Sequence, residues 1–337
     1  MKKICIYTDN HHYNNLLRQW NKGASYAVNY EVSVKPASQC DFLIVLEYPK
    51  RSISCLVPRE NIWVWSMEPP DEEWEWIRKC YKYFSRVITI DYQIKHPKFI
   101  HNQLAIPWQI GFSYDQLKGM DVFGNKVKLL SFVTSNYSAR TGHKKRLKFL
   151  DFIKTRLNFD LYGRGFNEVL EKSVALLPYK YSIVVENSSY RDYWSEKLAD
   201  AYLCGVLPFY YGCKNLEDYF DEKSFIRIDI SKPEEAIRII KSAIGSNQWE
   251  MRKAAIAESR RRIMDEYQFF PVMVNLIEKY GVKSDKREKV DIPILYHHIS
   301  NIKPFSLHRI YYRLKKLFLK KKYNDPESSL FGYTTYK

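Results

Sequence analysis

Residues 179–212 read YKYSIVVENSSYRDYWSEKLADAYLCGVLPFYYG, two apolar runs separated by a polar and then a mixed segment. The apolar run Ser182–Val185 predicts a buried strand, and Leu207–Tyr210 predicts a second one. Between them, Asp192 is a suitable N-cap for a helix predicted over Asp192–Cys204. A buried strand, a helix and another buried strand in succession are typical of a parallel sheet that helices cover on both faces.

The same alternation extends outward in both directions along the chain. Further strands are predicted at Ile4–Thr8, Phe42–Leu46, Ile62–Ser66, Val87–Ile90, Leu129–Thr134, Asp160–Tyr162 and Phe225–Ile228. Further helices are predicted at Asp71–Phe84, His143–Arg156, Lys232–Ile244 and Gln248–Tyr267. The stretch Phe112–Lys126 contains glycines and lacks periodicity, which indicates a linker. We therefore predict two α/β domains, at 1–120 and 121–282, followed by a different segment at 283–337.

The composition changes after Lys283, where a charged linker precedes a basic segment. Ser306–Lys322 reads SLHRIYYRLKKLFLKKK, and its apolar residues fall on one face of a helix with basic residues opposite. This pattern predicts an amphipathic helix at an anionic membrane surface. The alternative is a terminal helix that packs on its own domain and exposes its basic face to water.

Charge and composition limit the classes of protein. The chain has 54 Lys and Arg against 38 Asp and Glu, a net charge of +16, which favours an anionic partner. The aromatic content of 16% suits stacking on bases or sugar rings. No nucleic-acid-binding module is recognisable, so no nucleic-acid partner is predicted. The six cysteines form no C-x-x-C pair and no apolar run is long enough to span a bilayer, which favours a reduced, cytoplasmic protein.

The polar residues that follow the strand Ser182–Val185 predict a binding site. Ligands of open α/β sheets bind where strands end and helices begin. The candidate residues there are Glu186, Asn187, Tyr193, Glu196 and Lys197. From the residues alone the site is one for an anion or a nucleotide, and the alternative is a charged helix start with a capping box.

Three segments resemble one known family. The pattern E-N-S-x-x-x-D-Y-x-[ST]-E-K-[LI], followed by A-x-x-x-G-x-x-P-x-x-x-G, resembles the signature of the family 10 α-1,3/1,4-fucosyltransferases and stands here at 186–212. FVTSNYSARTGHKKRLKF at Phe132–Phe149 is similar to a second family segment. WVWSMEPP at Trp63–Pro70 resembles the segment that holds the family's catalytic glutamate.

This resemblance implies a GT-B fold, in which two Rossmann-like domains face each other across a cleft. The N-terminal domain would bind an oligosaccharide or lipid-linked glycan acceptor, and the C-terminal domain would bind GDP-fucose. It further implies inverting transfer of fucose, α-1,3 or α-1,4, to an N-acetylglucosamine-type residue of a surface glycan such as lipopolysaccharide O-antigen. No metal or other cofactor is expected, and the sequence contains no D-x-D triplet. The alternative is a GT-B transferase that uses another GDP-6-deoxyhexose donor.

The resemblance also assigns the chemistry to particular residues. Inverting transfer needs a base for the acceptor hydroxyl, and Glu68, which follows an apolar strand, is the predicted base. Arg146 and Lys197 are predicted to bind the diphosphate of the leaving GDP. The predicted enzyme would act at the inner face of the cytoplasmic membrane, held there by Ser306–Lys322.

The remaining candidates are predicted to bind the donor. Glu196 would accept hydrogen bonds from ribose or fucose hydroxyls, while Asn187 and Tyr193 would line the nucleotide pocket. Glu186 is predicted either to contact the sugar or to serve as a structural hydrogen-bond acceptor. His143 either contacts phosphate or merely begins its helix.

Overall fold

The computed structural model of the chain describes residues 1–295 except 11–12, 14, 35–36, 71–76 and 78–79. These residues form two parallel sheets, of six and five strands, and a sheet of two antiparallel strands. The predicted α/β class with two parallel sheets is therefore confirmed. The predicted helix Ser306–Lys322 lies outside the described residues, and so does most of the predicted helix Asp71–Phe84.

The first seven strands belong to the N-terminal part of the chain. They are β1 (Lys2–Tyr7), β2 (Tyr30–Ser33), β3 (Phe42–Leu46), β4 (Ile53–Val57), β5 (Ile62–Trp65), β6 (Arg86–Thr89) and β7 (Phe99–His101). Six of them form the first sheet, in the order β2-β1-β3-β5-β6-β7, and β4 lies apart.

The first sheet is covered on both faces, which explains its continuous apolar strands. Ile44 and Leu46 of β3 pack with Trp65 in one hydrophobic core. Leu43 and Val45 of the same strand point the other way, into a second core. Because every side chain of β3 meets a core, the strand shows no polar alternation.

The second sheet contains both strands predicted within residues 179–212. Its strands are β8 (Lys128–Val133), β9 (Asp160–Tyr162), β10 (Tyr179–Val185), β11 (Leu207–Tyr211) and β12 (Ile226–Arg227), in the order β12-β11-β10-β8-β9. β10 lies at the centre, between β8 and β11, and its last five residues are buried.

The helices follow the strands in alternation. They are α1 (Tyr114–Lys118), α2 (Thr141–Ile153), α3 (Glu196–Leu203), α4 (Pro233–Gly245), α5 (Gln248–Arg262) and α6 (Phe269–Tyr280), with a π turn at Ile263–Tyr267. Short 3-10 turns lie at Leu16–Gln19, Ser25–Val28, Arg59–Asn61, Tyr81–Tyr83, Lys172–Ala175, Leu216–Asp218 and Glu222–Ser224. Within the described helices, none is long and apolar enough to cross a bilayer.

The predicted helix start at Asp192 is wrong, because α3 begins four residues later. Asp192 has a φ of 61°, a left-handed conformation, whereas an N-cap residue is extended. Ser195 has the extended geometry, and its Oγ accepts a hydrogen bond from the Lys197 amide at 3.3 Å. The Asp192 carboxylate instead accepts hydrogen bonds from the hydroxyls of Tyr92 and Tyr219.

Two regions predicted as linkers contain regular structure. The predicted linker Phe112–Lys126 includes α1, which a capping box between Ser113 and Gln116 begins. The charged linker predicted after Lys283 includes β13 (Glu288–Ile292), which pairs antiparallel with β4. The linker prediction failed there because the strand buries only Val290 and Ile292, between charged residues.

Helix α6, which follows the second sheet in the chain, packs against the first sheet. Phe269, Phe270 and Met273 pack in the same hydrophobic core as Ile6 and Trp65 of the first sheet. The range 121–282, predicted as the second domain, thus ends in a helix that packs against the first sheet. The domain boundaries themselves stay a prediction.

Candidate active site

The carboxyl ends of the two parallel sheets meet at one polar site. Glu68 lies three residues beyond the end of β5, and Glu186 and Asn187 directly follow β10. Arg140, the residue before α2, has its Nη1 atom 3.5 Å from Glu68 Oε2. Strand ends and helix starts of both sheets therefore contribute side chains to the same place, where open α/β sheets bind ligands.

Glu68, the predicted base, lies at the junction of the two sheets. Its side chain is 30% exposed, and that of Arg140 is 19% exposed. The Glu68 carboxylate thus remains accessible while a cation from the second half of the chain approaches it. This position meets the geometric requirement of the predicted role, although the role itself remains a prediction.

The start of α2 approaches the end of β10 very closely at Gly142. A Cβ atom at this position would lie 1.7 Å from the backbone oxygen of Asn187, so only glycine fits. This contact explains the glycine of the T-x-G-H motif. No side chain of the described residues caps α2, so the amides of its first turn are available to an anion.

Arg146, one turn into α2, is held against the end of β10. Its Nη1 donates to Asn187 Oδ1 at 2.5 Å, and its Nη2 donates to Ser135 Oγ at 3.3 Å. Arg146 is buried, and burial lowers the pKa of its guanidinium, although Glu186, Tyr193 and Glu196 oppose this. The structure therefore brings together Arg146 and Asn187, two of the residues predicted to bind the donor.

Three buried polar atoms around α2 lack a hydrogen bond within the described part of the chain. They are Arg146 Nε, His143 Nδ1 and Thr134 Oγ1. Burial, followed by the positive charges of Arg146 and Arg140, lowers the pKa of His143 to about 4, so its ring is neutral at pH 7. Buried polar groups in native proteins are nearly always hydrogen-bonded, so these three atoms have the capacity to bind a polar ligand.

Glu186 has the contacts of a structural acceptor. Its carboxylate accepts hydrogen bonds from the Ser195 amide at 2.8 Å, from Ser195 Oγ at 2.6 Å and from Lys197 Nζ at 3.3 Å. It is 1% exposed. These contacts fix the start of α3 and favour the second of its two predicted roles; a contact with the donor sugar stays a prediction.

Lys197 lies beside Arg146 and keeps its charge. Burial lowers the pKa of the Lys197 ammonium, but Glu196 and Glu186 outweigh this effect and raise it. Lys197 binds Glu186, and Arg146 binds Asn187, which is the next residue in the chain. Two protonated side chains are therefore positioned at adjacent residues at the end of β10.

Glu196 is held by a buried network that the sequence analysis missed. Lys172 Nζ lies 3.2 Å from Glu196 Oε1 and 3.0 Å from Asp200 Oδ2. Burial opposes ionisation of Glu196, but Lys197 and Lys172 hold its pKa below the ordinary value. Lys172 is shared between the two carboxylates. Burial and the charge of Glu196 therefore raise the pKa of Asp200 to about 6, although Lys172 acts to lower it. Asp200 also accepts the Gln109 amide at 2.8 Å.

One feature of the sequence, a charged residue on an apolar helix face, could have predicted this network. Asp200 follows Glu196 by four residues, on a helix face that is otherwise apolar and fully buried. Such an aspartate requires a buried cation, but the cation comes from the irregular segment at Lys172, which has no periodicity to mark it.

Tyr193 is more deeply buried than a nucleotide-lining residue needs to be. It is 2% exposed and packs in the hydrophobic core of the first sheet. The adjacent Asp192 accepts the hydroxyl of Tyr92, which follows β6. Residues 192–193 therefore tie the second sheet to the first, while the predicted contact of Tyr193 with the nucleotide stays a prediction.

A second carboxylate, Glu47, lies near Glu68 and was not predicted. It follows β3, has a φ of 62°, and its amide donates to Trp65 O at 2.9 Å. Burial raises the pKa of Glu47 to about 7, against the effects of Asn10, Lys50 and Arg140. A left-handed conformation outside glycine costs roughly 1–3 kcal/mol and concentrates at functional sites. The sequence does not predict this backbone conformation, because the residue is a glutamate and not a glycine.

No described group of three or more His, Cys, Asp or Glu side chains is arranged to hold a metal ion. All six cysteines fall within the described residues, where they are buried and free of disulfides. Cys40 and Cys55 Sγ atoms lie 3.5 Å apart, away from the site residues.

The fold matches solved glycosyltransferases. An alpha-glucosyltransferase in complex with UDP and a 13-mer DNA aligns over 82% of this chain and 100% of that chain, at 11% identity and a TM-score of 0.50. An alpha1,3-fucosyltransferase with GDP-fucose aligns over 80% of this chain and 92% of that chain, at 16% identity and a TM-score of 0.45. The first likeness concerns the fold alone, and with the two parallel sheets it defines the class as GT-B-like.

The part of the chain that forms most of the second sheet resembles a known family domain. Residues 123–251 match the domain described as Glycosyltransferase family 10 (fucosyltransferase) C-term. The matched segment contains α2, α3 and the residues Arg146, Glu186 and Lys197. Glu68 lies outside the matched segment.

Curated relatives agree with this family. The 4-galactosyl-N-acetylglucosaminide 3-alpha-L-fucosyltransferase 9 of Bos taurus is 31% identical over 130 residues, which cover 37% of this chain and 35% of the bovine protein. The Homo sapiens protein of the same name is 30% identical with the same coverage. The match thus spans about a third of the length of these relatives.

Proposed function

We propose that the protein is an inverting fucosyltransferase that transfers L-fucose from GDP-fucose to a hydroxyl of a glycan. The observation that carries the proposal is the buried Arg146 Nε, which has no hydrogen-bond partner among the described residues and lies near the uncapped start of α2 and Lys197. This is an anion site with two cations, and it lies within the family 10 domain. A nucleoside diphosphate is the anion that such a domain would hold.

The second sheet would bind the donor. Arg146 would donate hydrogen bonds to the diphosphate, the first-turn amides of α2 would add partial positive charge, and Lys197 would add a compact full charge. These groups stabilise the developing charge on GDP most strongly as the bond to fucose breaks. Glu196, held by Lys172 at 3.2 Å, would accept hydrogen bonds from ribose or fucose hydroxyls.

Glu68 would remove the proton of the attacking hydroxyl. Supporting this role, the Glu68 carboxylate lies at the carboxyl end of the first sheet and 3.5 Å from Arg140, which directly precedes α2. The acceptor hydroxyl would enter beside Arg140, and the proton would pass to a Glu68 oxygen while the hydroxyl oxygen bonds to the fucosyl carbon. Attack from the side opposite GDP gives inversion.

The acceptor we propose is an N-acetylglucosamine-type residue of a surface glycan such as lipopolysaccharide O-antigen. Supporting it are the names of the relatives, which describe 3-alpha-L-fucosyl transfer to a 4-galactosyl-N-acetylglucosaminide. We favour α-1,3 linkage for the same reason. As domains we propose residues 1–120 for the acceptor and 121–282 for the donor, with α6 packing back on the first sheet.

The location of the enzyme is also a proposal. We infer attachment to the inner face of the cytoplasmic membrane through Ser306–Lys322, whose basic and apolar faces suit anionic lipid. Removal of this segment should abolish sedimentation with vesicles that contain phosphatidylserine. Equal sedimentation of the shortened chain would contradict the attachment.

Nucleotide selectivity followed by product mass tests the function. GDP should raise the melting temperature more than UDP or CDP at equal concentration, because a ligand of the native state stabilises by mass action. Incubation with GDP-fucose and N-acetyllactosamine or lacto-N-biose oligosaccharides should then add one deoxyhexose mass. Transfer from another GDP-6-deoxyhexose but not from GDP-fucose would contradict the donor assignment.

A further inference from the structure

Glu47 lies at the same end of the first sheet as Glu68. β3 and β5 are adjacent parallel strands, and Leu46 pairs with Trp65 at their carboxyl ends. Glu47 comes directly after Leu46, and Glu68 comes three residues after Trp65. Two glutamates therefore extend from neighbouring strand ends, on the side where the proposed acceptor would enter.

The backbone at Glu47 is held in an unusual conformation. Its φ of 62° is left-handed, which is uncommon for residues other than glycine, asparagine or aspartate. The hydrogen bond from the Glu47 amide to Trp65 O, at 2.9 Å, maintains this turn against the neighbouring strand. The chain thus keeps a glutamate where glycine would be the less strained choice.

The surroundings of Glu47 leave its carboxyl group with hydrogen-bonding capacity. Within the described residues it accepts only long hydrogen bonds from Asn10 Nδ2, at 3.4 and 3.5 Å. By contrast, Arg140 makes its ion pair with Glu68, although it lies close enough to lower the pKa of Glu47. A half-buried carboxyl group with weak partners is suited to bind a hydroxyl-rich ligand.

Glu47 also lies near Tyr13, as do the proposed base Glu68 and the proposed donor residue Glu196. Tyr13 is buried, and after burial itself the charges of Glu47, Glu68 and Glu196 raise the pKa of its hydroxyl. One tyrosine therefore lies within electrostatic range of Glu47 and Glu68, which follow strands of the first sheet, and of Glu196, which begins α3. Glu47 is thus on the side of the first sheet that is close to the proposed donor residues.

We propose that Glu47 is an acceptor-binding residue: its carboxylate accepts hydrogen bonds from hydroxyls of the acceptor pyranose that do not react. It thereby holds the sugar so that the attacking hydroxyl points to Glu68. This inference rests on the proposed fucosyltransferase function and adds a specific residue to its acceptor side. Glu47 takes no part in proton transfer or in binding of GDP-fucose.

Two variants of the full chain test the role of Glu47. Glu47→Gln keeps the size of the side chain and removes its charge, while Glu47→Gly removes the side chain and suits the left-handed backbone. Both should raise the KM for the oligosaccharide acceptor about tenfold or more, the loss expected for a charged hydrogen bond. The dissociation constant of GDP-fucose should change less than about twofold, since the mutation lies outside the donor site.

Exposed Glu60, in the same part of the chain, gives the matched control. Glu60→Gln should leave the acceptor KM unchanged. Glu47→Gly should melt no lower than the wild type, so that a changed KM reports binding and not unfolding.

Each outcome bears on a distinct claim. An unchanged acceptor KM in both Glu47 variants, with wild-type transfer intact, would overturn the inference and leave the proposed function standing. A fall in kcat without a change in acceptor KM would also overturn it, because Glu47 would then act in the chemical step. A wild-type protein that binds GDP-fucose but fucosylates no glycan would overturn the proposed function and the inference with it.

Discussion

The carboxylate of Glu68 and the guanidinium of Arg140 lie 3.5 Å apart, and they belong to the ends of different sheets. Glu68 follows strand β5 of the first sheet, and Arg140 directly precedes the helix that carries Arg146. This contact links the proposed base to the helix of the proposed donor site.

Glu68→Gln should abolish transfer while donor binding persists. The amide keeps the size of the carboxylate but cannot accept a proton, and general base catalysis typically contributes about 100- to 10,000-fold to a rate. We expect kcat to fall by that order and the GDP-fucose dissociation constant to stay within about twofold. Steady-state kinetics and calorimetry check the two quantities. Normal turnover of this variant would mean that another group is the base.

Arg146→Lys should weaken binding of GDP about tenfold or more. Lysine preserves the charge but loses the planar donors, including the buried Nε that lacks a partner among the described residues. Calorimetric titration with GDP gives the dissociation constant. Exposed Lys145, the preceding residue on α2, provides the control as Lys145→Ala. If Lys145→Ala weakened GDP binding as much as Arg146→Lys, the total positive charge of α2 and not the specific contacts of Arg146 would account for binding.

Lys172→Met should destabilise the fold as well as the donor site. It leaves the buried carboxylates of Glu196 and Asp200 without their shared cation, and breaking a buried ion pair costs about 3 kcal/mol or more. Urea denaturation at pH 7 measures the loss. The exposed Lys154, paired with Asp151 on α2, serves as comparison, and Lys154→Met should cost under about 1 kcal/mol. Equal stability of the two variants would argue against the network.

The low pKa of His143 predicts a loss of stability in mild acid. In the folded protein the pKa is about 4 because burial and the nearby arginines disfavour the charged ring, whereas the unfolded value is about 6.5. Between these values the unfolded chain binds the extra proton, so stability falls as pH decreases from about 6.5 towards about 4. Denaturation at pH 7.5 and pH 5 should show a smaller loss in His143→Gln. An identical pH dependence would show that His143 is not buried as a neutral ring.

Most of the fold was predictable because its central strands carry a strong pattern. β3, β5, β10 and β11 are continuous apolar runs, and a parallel sheet covered on both faces demands such runs. β13 escaped detection because three of its five residues are charged and only two are buried. Pairing with β4, which is far away in sequence, is what makes it a strand.

The site was predictable where local chemistry or family resemblance marks it. Glu68, Arg146, Asn187 and Lys197 were selected in this way, and the structure brings them to one place. Asp192 was misassigned as the cap because Asp192 and Ser195 are both good capping residues, and only the backbone conformation distinguishes them. Glu47 and Lys172 were missed because a left-handed φ and a long-range ion pair are tertiary properties.

The most direct measurement is a structure of the protein with GDP bound. We predict that diphosphate oxygens lie within about 3.2 Å of Arg146 Nε and Lys197 Nζ, with the β-phosphate directed towards Glu68. A diphosphate bound elsewhere, with Arg146 and Lys197 both out of hydrogen-bonding range, would contradict the proposed donor site and the mechanism based on it.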